Sequence, residues 1–350
     1  MGQEVVGLKI GASQLTAAHV EAGSKGKLLA IGSAPVTAGA VGGGEVRDVE
    51  LLASNISNMF GQTTLPRKAV RIGLASNRIG VRTVEIDGIA EAKQLANAIR
   101  FRAQEALPIP LDEAILDFQV LGQTTGEDGQ PCHRVQFVVA YRELVNGFVE
   151  ACRKADLHLV GVDLDAFAML RALARLGPGR GDAGATVAVS LGAERSTIAV
   201  TGGRICEFTR VLDWGGSTLD RQVADHLDIS MEEAEALKIK VGLGDDSAPE
   251  GVEPEMASQV RASLTTGVEA FARDLVASLQ FYQSQPASQG IAEVLLAGGT
   301  ARLAGFAHAL ERMVGVAVRV GNPLGNLQSF RKGLDPDPSL AVPIGLGLGV

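Results

Sequence analysis

The sequence predicts a two-lobed α/β fold with a small α+β subdomain inserted into the first lobe. An apolar strand that ends in a Gly-Ala turn occurs twice, about half a chain apart, and a segment of different periodicity lies between the two copies. The 350 residues are 46% hydrophobic and 21% charged, which is enough to bury a sizeable core. The predicted divisions are the first-lobe core at 1–78, the inserted subdomain at 79–158, a connecting helix region at 159–185, the second lobe at 186–320 and a C-terminal return to the first lobe at 321–350.

The repeat is visible when VGLKIGASQLT, from Val6, is aligned with VAVSLGAERST, from Val187. Each copy has an apolar run, a turn at Gly11 or Gly192, and a second β-rich run, which is typical of a β-hairpin with a glycine at the bend. The alternative is chance recurrence of Gly-Ala hairpins. Two related lobes are favoured, and a ligand would then lie between them, because pockets occur preferentially at domain interfaces.

The inserted segment has its own pattern of strands and helices. Alternating apolar residues predict strands over 80–86, 115–121, 134–141 and 159–164, whereas helical spacing predicts helices over 91–107 and 142–155. Pro108 and Pro110 should end the first helix. The resulting order is β-α-β-β-α-β, which describes a compact α+β subdomain.

The second lobe is predicted to contain two further helices and a buried strand. Ser230 and Glu233 form a capping box at the start of a helix over 230–241. A longer helix over 255–285 carries a stripe that should be buried, at positions 256, 260, 264, 268, 271, 275, 279 and 282. A strand from Val294 runs into the Gly298-Gly299 turn and then into a helix over 306–314.

The glycine turns are the candidate ligand site. Glycine lets the backbone approach a ligand closely, and a helix N-terminus that follows it favours an anion. The turns at Gly11, Gly192 and Gly298-Gly299 could line one cleft, with two of them holding phosphates and the third a nucleoside. Glu235 and Lys238 lie three residues apart on one helix, so they share a face. They could bind ribose hydroxyls or form a solvated surface pair. The candidate binding residues are Lys9, Gly11, Ala12, Ser13, Gln14, Gly192, Ala193, Gly215, Gly216, Glu235, Lys238, Gly298, Gly299 and Thr300.

Composition argues against several other functions. A formal charge of −8 and no basic run argue against nucleic-acid binding. Three scattered cysteines fit a reducing cytosol better than a disulfide framework. Neither a signal peptide nor an apolar run of bilayer length is visible, so any membrane association is expected through a partner. The five histidines lack ligand spacing and no nucleophile elbow occurs, so we expect no metal-ligating or catalytic residues.

Six segments in order carry a resemblance to a known family: GLKIGASQLTAAHV, FRAQEALPIPLDEAILDFQVL, VGVDLDAFAMLRAL, VSLGAERSTIAV, WGGSTLDRQVADHLDISMEEAEALK and LLAGGTARLAGF. The chain resembles the PilM family of actin-like type IV pilus assembly proteins and, more distantly, the cell-division protein FtsA. The resemblance implies an actin-like (ribonuclease H-like) fold with an ATP cleft between the lobes. It also implies a groove, involving the inserted subdomain, that binds the cytoplasmic N-terminal tail of a PilN-like inner-membrane protein. The protein would then be cytoplasmic and peripheral to the inner membrane.

The sequence departs from this family at two positions. The aspartates that the resemblance places near Mg²⁺ are Lys9 and Ser190 here. Because Mg²⁺ is held by carboxylates and phosphates, we expect no bound metal, ATP bound weakly or without Mg²⁺, and no rapid hydrolysis. Lys9 could contact nucleotide phosphates, pair with an internal carboxylate such as Asp163 or Asp165, or reach solvent.

Two alternative functions follow from the same resemblance. An active actin-like ATPase or a sugar-kinase-like enzyme would need an acid near each phosphate turn. An FtsA-like filament protein would carry a C-terminal amphipathic membrane helix, but the end SLAVPIGLGLGV has no basic face. If this end is helical, Gly345, Gly347 and Gly349 would let it pack closely against first-lobe strands. The sequence leaves a homodimer open.

Overall fold

The structure, a computed structural model, describes residues 2–23, 26–87, 89, 92–106, 110, 112–125, 131–174, 184–203, 205–244, 247–285, 288–325, 327–328 and 336–349. The chain forms two compact units. One contains Met1–Ala75 together with Cys152–Val350, and the other contains Ser76–Ala151. Pro108, which was expected to end a helix, lies outside the described residues.

The first lobe begins with an antiparallel hairpin. Its elements are β1 (Glu4–Ile10), β2 (Gln14–Glu21), β3 (Lys27–Pro35), β4 (Val41–Gly42), β5 (Glu45–Val46), α1 (Val49–Gly61) and β6 (Val70–Leu74). At the bend, the Gly11 N–H donates to the Gln14 carbonyl over 3.0 Å. The predicted hairpin is therefore confirmed, with Lys9 opposite Thr16 near its tip.

The inserted unit contains one three-stranded sheet. Its elements are β7 (Ile79–Asp87), α2 (Ala92–Ala106), β8 (Ala114–Thr125), β9 (Pro131–Tyr141) and α3 (Arg142–Lys154), the last of which ends beyond the unit boundary. The strands are antiparallel in the order β7-β9-β8. Helix α2 buries Leu95, Ile99 and Ala103 in a core shared with Phe137 and other β9 side chains.

The sixth element of the predicted subdomain, β10 (Leu159–Leu164), joins a different sheet. It pairs in parallel with β6, so that the first-lobe sheet has the order β10-β6-β1-β2-β3. The inserted unit is therefore β-α-β-β-α. The strand itself was predicted correctly, but the alternation of its side chains carries no information about which sheet accepts it. Helix α4 (Asp165–Leu173) follows directly.

The second lobe repeats the hairpin of the first. Its elements are β11 (Ala185–Leu191), β12 (Ser196–Thr201), β13 (Phe208–Leu212), α5 (Gly216–Leu227), α6 (Met231–Val241), α7 (Pro254–Gln283), β14 (Ile291–Ala297), α8 (Phe306–Val314) and β15 (Val318–Val320). The Gly192 N–H donates to the Arg195 carbonyl over 2.9 Å, and Ser190 lies opposite Thr197, which matches the bonding and register of the first hairpin. The duplicated hairpin is confirmed, and the sheet order is β13-β12-β11-β14-β15.

The predicted stripe of α7 lies in a hydrophobic core of the second lobe, with one exception. Its apolar residues from Val260 to Tyr282 are buried and pack beside Trp214, whose ring stacks on Phe271 at 4.4 Å between centroids. Met256 is 39% exposed, so its inclusion in the buried stripe was wrong. It lies in the first turn of α7, which helical spacing alone cannot distinguish from the turns that contact the core.

The C-terminal segment forms α9 (Ala341–Leu348), which packs on the first lobe. A Cβ added at Gly345 would lie 1.7 Å from the Ala168 carbonyl oxygen, and one at Gly347 would lie 2.8 Å from Val20. These approaches confirm that glycines let this helix pack closely. The Arg171 Nε also donates to the Gly345 carbonyl over 3.0 Å. Among the described residues, no helix combines the length and the apolar composition needed to cross a membrane.

Candidate functional site

The glycine turns converge on one cleft of about 610 Å³. It is lined by the tips of both hairpins, by α5 and α6, and by the turn after β14. Among the fourteen candidate residues predicted from the sequence, thirteen line this cleft. Gly215 does not line it and instead precedes the first turn of α5. Thr16, Ser217, Asp220, Met231, Glu232, Ile239, Arg302, Leu303 and Ser339 complete the lining.

A direct contact joins the two lobes at the floor of this cleft. The Lys9 Nζ, near the end of β1, donates a hydrogen bond to the Ser190 Oγ, near the end of β11, over 2.9 Å. The Asp165 Oδ2, at the start of α4, lies 3.9 Å from the same ammonium. The two positions where the family resemblance implies aspartates therefore contact each other.

This geometry distinguishes the three predicted roles of Lys9. Its ammonium pairs with an internal carboxylate, and that carboxylate is Asp165. Asp163, the other predicted partner, forms an ion pair with Arg171 instead. The Lys9 side chain keeps 18% of its surface exposed, so it also lines the cleft.

Asp165 is a buried acid whose negative charge Lys9 compensates at the floor of the cleft. Only 7% of its side chain is exposed, and its Oδ1 has no hydrogen-bond partner among the described residues. Burial raises the pKa of Asp165, the Lys9 ammonium opposes this rise, and the charge of Asp163 adds to it. A buried carboxylate is costly without a compensating cation, so Lys9 stabilises the ionised form.

The second-lobe turn is built into a network of backbone hydrogen bonds. The Gly192 carbonyl accepts bonds from the Gly216 N–H over 2.9 Å and from the Thr300 Oγ1 over 3.0 Å. The Ser217 N–H donates to the Ala193 carbonyl over 2.8 Å. These first amides of α5 are therefore bonded to the turn, so the Gly215-Gly216 pair packs the hairpin in place.

The turn after β14 completes this packing. Gly298 has a φ of +86°, a backbone conformation that residues with a Cβ rarely adopt. A Cβ there would also lie 2.3 Å from the Leu191 carbonyl oxygen. A short 3₁₀ turn, Gly299–Arg302, separates this glycine from α8. The helix predicted from position 306 is confirmed, but its N-terminus does not follow the turn directly.

A second lysine of the cleft also pairs with a buried acid. The Lys238 Nζ lies 2.6 Å from the Asp220 Oδ1, and 9% and 8% of the two side chains are exposed. Burial raises the pKa of Asp220, against the hydrogen bond and charge of Lys238. The predicted alternative of a solvated surface pair is therefore wrong for Lys238, whereas Glu235 is exposed and lines the cleft.

Sequence reasoning missed Asp220, although the chain contains a signal for it. Asp220 lies on the buried face of α5, together with Leu219 and Val223. An acid on the apolar face of a helix requires a partner, because an unpaired buried charge is strongly unfavourable. Lys238 on α6 is that partner.

A further contact between the lobes involves the hairpin β4–β5. The Gly43 N–H donates to the Glu194 Oε2 in the second-lobe turn over 2.9 Å. In the same turn, the Arg195 Nη2 lies 2.9 Å from the Asp213 Oδ1. Asp213 is thus an ion-pair partner of this turn.

The side chains at the cleft floor do not suit a divalent cation. Mg²⁺ prefers carboxylate and phosphate oxygens, whereas the floor presents the Lys9 ammonium and the Ser190 hydroxyl. Asp165 and Asp220 each already face a lysine. Within the described part of the chain, no three His, Cys, Asp or Glu side chains are grouped so that they could hold a metal ion.

Comparisons with known proteins identify relatives over the whole chain. The family model "Type IV pilus assembly protein PilM" matches residues 7–348. The solved structure of a PilM-PilN type IV pilus biogenesis complex is similar at 25% identity and a TM-score of 0.83, with 100% of both chains covered. MreB5 of Spiroplasma citri bound to AMPPNP is similar in fold, at 11% identity and a TM-score of 0.56, over 99% of this chain and 95% of that one. Cell division protein FtsA of Streptococcus pneumoniae is 23% identical, over 91% of this chain and 75% of its own length.

Proposed function

Because the chain belongs to the PilM family of actin-like type IV pilus assembly proteins, we propose that it is a scaffold that docks a partner tail and does not turn over ATP. The tail is the cytoplasmic N-terminal segment of a PilN-like inner-membrane protein. In this proposal the protein lies in the cytoplasm, and it reaches the membrane only through that partner.

The docking half of the proposal is supported by similarity over the whole length of the chain. The similar solved structure is that of a PilM-PilN complex, and it covers this chain completely. The inserted unit, which the family resemblance associates with the partner, is present here as a compact body with its own core. A preformed unit of this kind suits a peptide because little of the site must be ordered on binding.

The hydrogen bond between Lys9 and Ser190 carries the second half of the proposal. In phosphoryl transfer, metal ions neutralise the charge that develops on the phosphate oxygens. Here an ammonium occupies the floor and would repel a divalent cation nearby. The cleft can still admit a nucleotide, with Lys9 near its phosphates, but it lacks the carboxylates that would position Mg²⁺ between the lobes.

Helix α9 is packed into the first lobe. The residues from Ala341 to Gly347 are buried against the first lobe. The Arg71 Nη1 donates to the Leu346 carbonyl over 2.9 Å, which fixes the end of the helix. A helix held in this way does not present an apolar face to lipid.

Docking is tested with the full-length chain and a fluorescent peptide. The peptide should copy the cytoplasmic tail of the single-span membrane protein encoded beside this chain, and a scrambled peptide of equal composition is the control. We expect saturable binding of the tail peptide and no binding of the scrambled peptide. The affinity for the tail peptide should be the same with and without Mg²⁺-ATP. No binding of the tail, or equal binding of the scrambled peptide, would overturn the docking proposal.

The absence of turnover is tested separately by phosphate release from Mg²⁺-ATP. A hydrolysing actin-like protein serves as the positive control. We expect release no faster than in buffer. Robust release that stops on chelation of Mg²⁺ and in a Lys9→Ala variant would refute this half and would establish the active ATPase instead.

A further inference from the structure

The longest strand at an edge of the inserted sheet is β8. Among the described residues it pairs with β9 alone, which leaves its other edge without a strand neighbour. The four successive residues Asp117, Phe118, Gln119 and Val120 are exposed, with 39% of Phe118 and 43% of Val120 accessible to solvent. Both faces of the middle of this strand are therefore uncovered.

The edge has few of the features that usually prevent pairing with another chain. Natural edge strands are commonly blunted by charges, lysine above all, or by proline. The opposite edge strand, β7, carries Arg82, Glu85 and Asp87, whereas β8 carries one charge in twelve residues, at Asp117, and no proline or lysine. A register shift between Val120 and Gly122 interrupts its ladder with β9, which resumes at Gly122 and continues to Thr125. The free regular edge is therefore 114–120.

We propose that this edge pairs with β8 of a second copy of the chain, antiparallel and centred on Phe118. In that register Phe118 lies opposite its own copy and Leu116 lies opposite Val120, so apolar side chains meet on one face. Asp117 lies opposite Gln119 on the other face. The two sheets would join into one of six strands across a two-fold axis.

Charge and polarity select this register and favour a second copy as the occupant. A centre at Asp117 would place two carboxylates opposite each other, which is destabilising. A centre at Gln119 would place Asp117 opposite the apolar Leu121. With the centre at Phe118, apolar residues oppose apolar ones, and the single charge opposes an amide. The strand is thus complementary to itself.

Asp117 weakens this association in the free protein. Its Oδ1 accepts a hydrogen bond from the Phe118 N–H over 2.8 Å, so this amide is engaged at the open edge. In the proposed pair, the same N–H donates to the Phe118 carbonyl of the second copy. Asp117 must release it first. A single short strand pair also buries less than the roughly 1,200–2,000 Å² of a stable interface, so the dimer is weak.

The association is tested by sedimentation equilibrium of the full-length chain over a wide range of concentrations. We expect a reversible dimer that Phe118→Lys abolishes and that Asp117→Ala tightens about tenfold, since each copy then has a free amide. Glu85→Lys introduces a lysine on the other edge strand and should leave the dimer unchanged. Matching circular dichroism and melting temperatures show that the variants fold.

The register is tested by oxidation. A mixture of the Asp117→Cys and Gln119→Cys variants should form a crossed disulfide dimer, because directly opposite Cβ atoms lie about 4.5–5.5 Å apart. Either variant alone should form much less. The proposal is overturned if the wild-type and Asp117→Ala proteins both remain monomeric, or if Phe118→Lys still dimerises. It is also overturned if Phe118→Lys abolishes binding of the partner tail and leaves self-association unchanged.

Discussion

Replacing Lys9 with methionine should destabilise the protein most at neutral pH and progressively less in acid. Methionine keeps most of the aliphatic length of lysine but removes the ammonium that lies 2.9 Å from the Ser190 Oγ and 3.9 Å from the Asp165 Oδ2. The Asp165 carboxylate then remains buried without its cation. Its Oδ1 already lacks a partner among the described residues, so no nearby donor compensates for the loss.

The magnitude follows from the geometry of the pair. Two unit charges 3.9 Å apart attract by about 4 kcal/mol at an effective dielectric constant of about 20. Breaking a buried ion pair from one side costs about 3–5 kcal/mol, and the lost hydrogen bond to Ser190 contributes about 1 kcal/mol within that range. Because 18% of the Lys9 side chain is exposed, water compensates for part of this. We therefore expect a loss of about 2–4 kcal/mol, or a melting temperature lower by about 3–5 °C for a chain of this length.

The pH dependence follows from the direction of the Asp165 shift. Burial raises the pKa of Asp165 in the folded protein, so this carboxyl contributes stability at low pH that is lost as the pH rises through its folded pKa. Without Lys9, which lowers that pKa, the folded value rises further. The deficit of the variant is therefore largest above the folded pKa. It shrinks toward the ordinary carboxyl range, near about pH 4, where Asp165 is protonated in both proteins.

Chemical unfolding at neutral and acidic pH measures the effect. Ser190→Ala is the control, since it removes only the hydrogen bond and should cost about 1 kcal/mol at every pH. Adding Asp165→Asn to Lys9→Met removes the stranded charge and should restore much of the stability. An equal deficit at all pH values, no deficit at neutral pH, or a further loss in the double variant would refute the reasoning.

Three more predictions concern the unit that contains both lobes. Lys238→Met strands a second buried carboxylate and should cost about 3–5 kcal/mol in urea unfolding, whereas an effect below about 1 kcal/mol would contradict a buried pair. Gly345→Ala should expose the C-terminal helix to protease, because the new Cβ would lie 1.7 Å from a carbonyl oxygen. Gly61→Ala is the control, since no atom lies within 4 Å of its Cβ, and it should not increase cleavage. Equal cleavage of both variants would argue against close packing. The double variant Lys9→Asp, Ser190→Asp should have a higher melting temperature in the presence of Mg²⁺-ATP, and chelation of Mg²⁺ should return the melting temperature to its value without ligand. The same Mg²⁺-dependent rise in the unaltered protein would show that the substitutions are not needed.

Local pattern predicted the elements well because their signals lie within a few residues. The bends at Gly11 and Gly192 and the capping box at Ser230 depend on neighbouring residues, and the structure contains all of them. The assignment of β10 failed because partner choice between sheets depends on contacts far away in the chain. The prediction that Met256 is buried was wrong for a related reason, since a helical stripe does not indicate where the core ends.

The sequence predicted the glycine turns of the candidate site, but it predicted the ion pairs of the site only in part. Glycine turns that repeat at the ends of apolar strands carry their own signal, and they converge as expected. The sequence offered two possible carboxylates to Lys9, because Asp163 and Asp165 lie two residues apart. Arg171, six residues after Asp165 in α4, forms an ion pair with Asp163 and leaves Asp165 as the partner of Lys9.

The contact between Lys9 and Ser190 also bears on how the proposed scaffold is controlled. A ligand shifts a conformational equilibrium only by its difference in affinity for the two states. In a metal-dependent cleft, Mg²⁺ and nucleotide supply the charge that holds two lobes together, so closure follows their concentrations. Here the cation at the floor is a side chain of the first lobe bonded to the second, and Gly43 adds a contact to Glu194. An intramolecular cation does not dissociate into solution, so the proposed docking function does not require a nucleotide cycle to keep the lobes in contact.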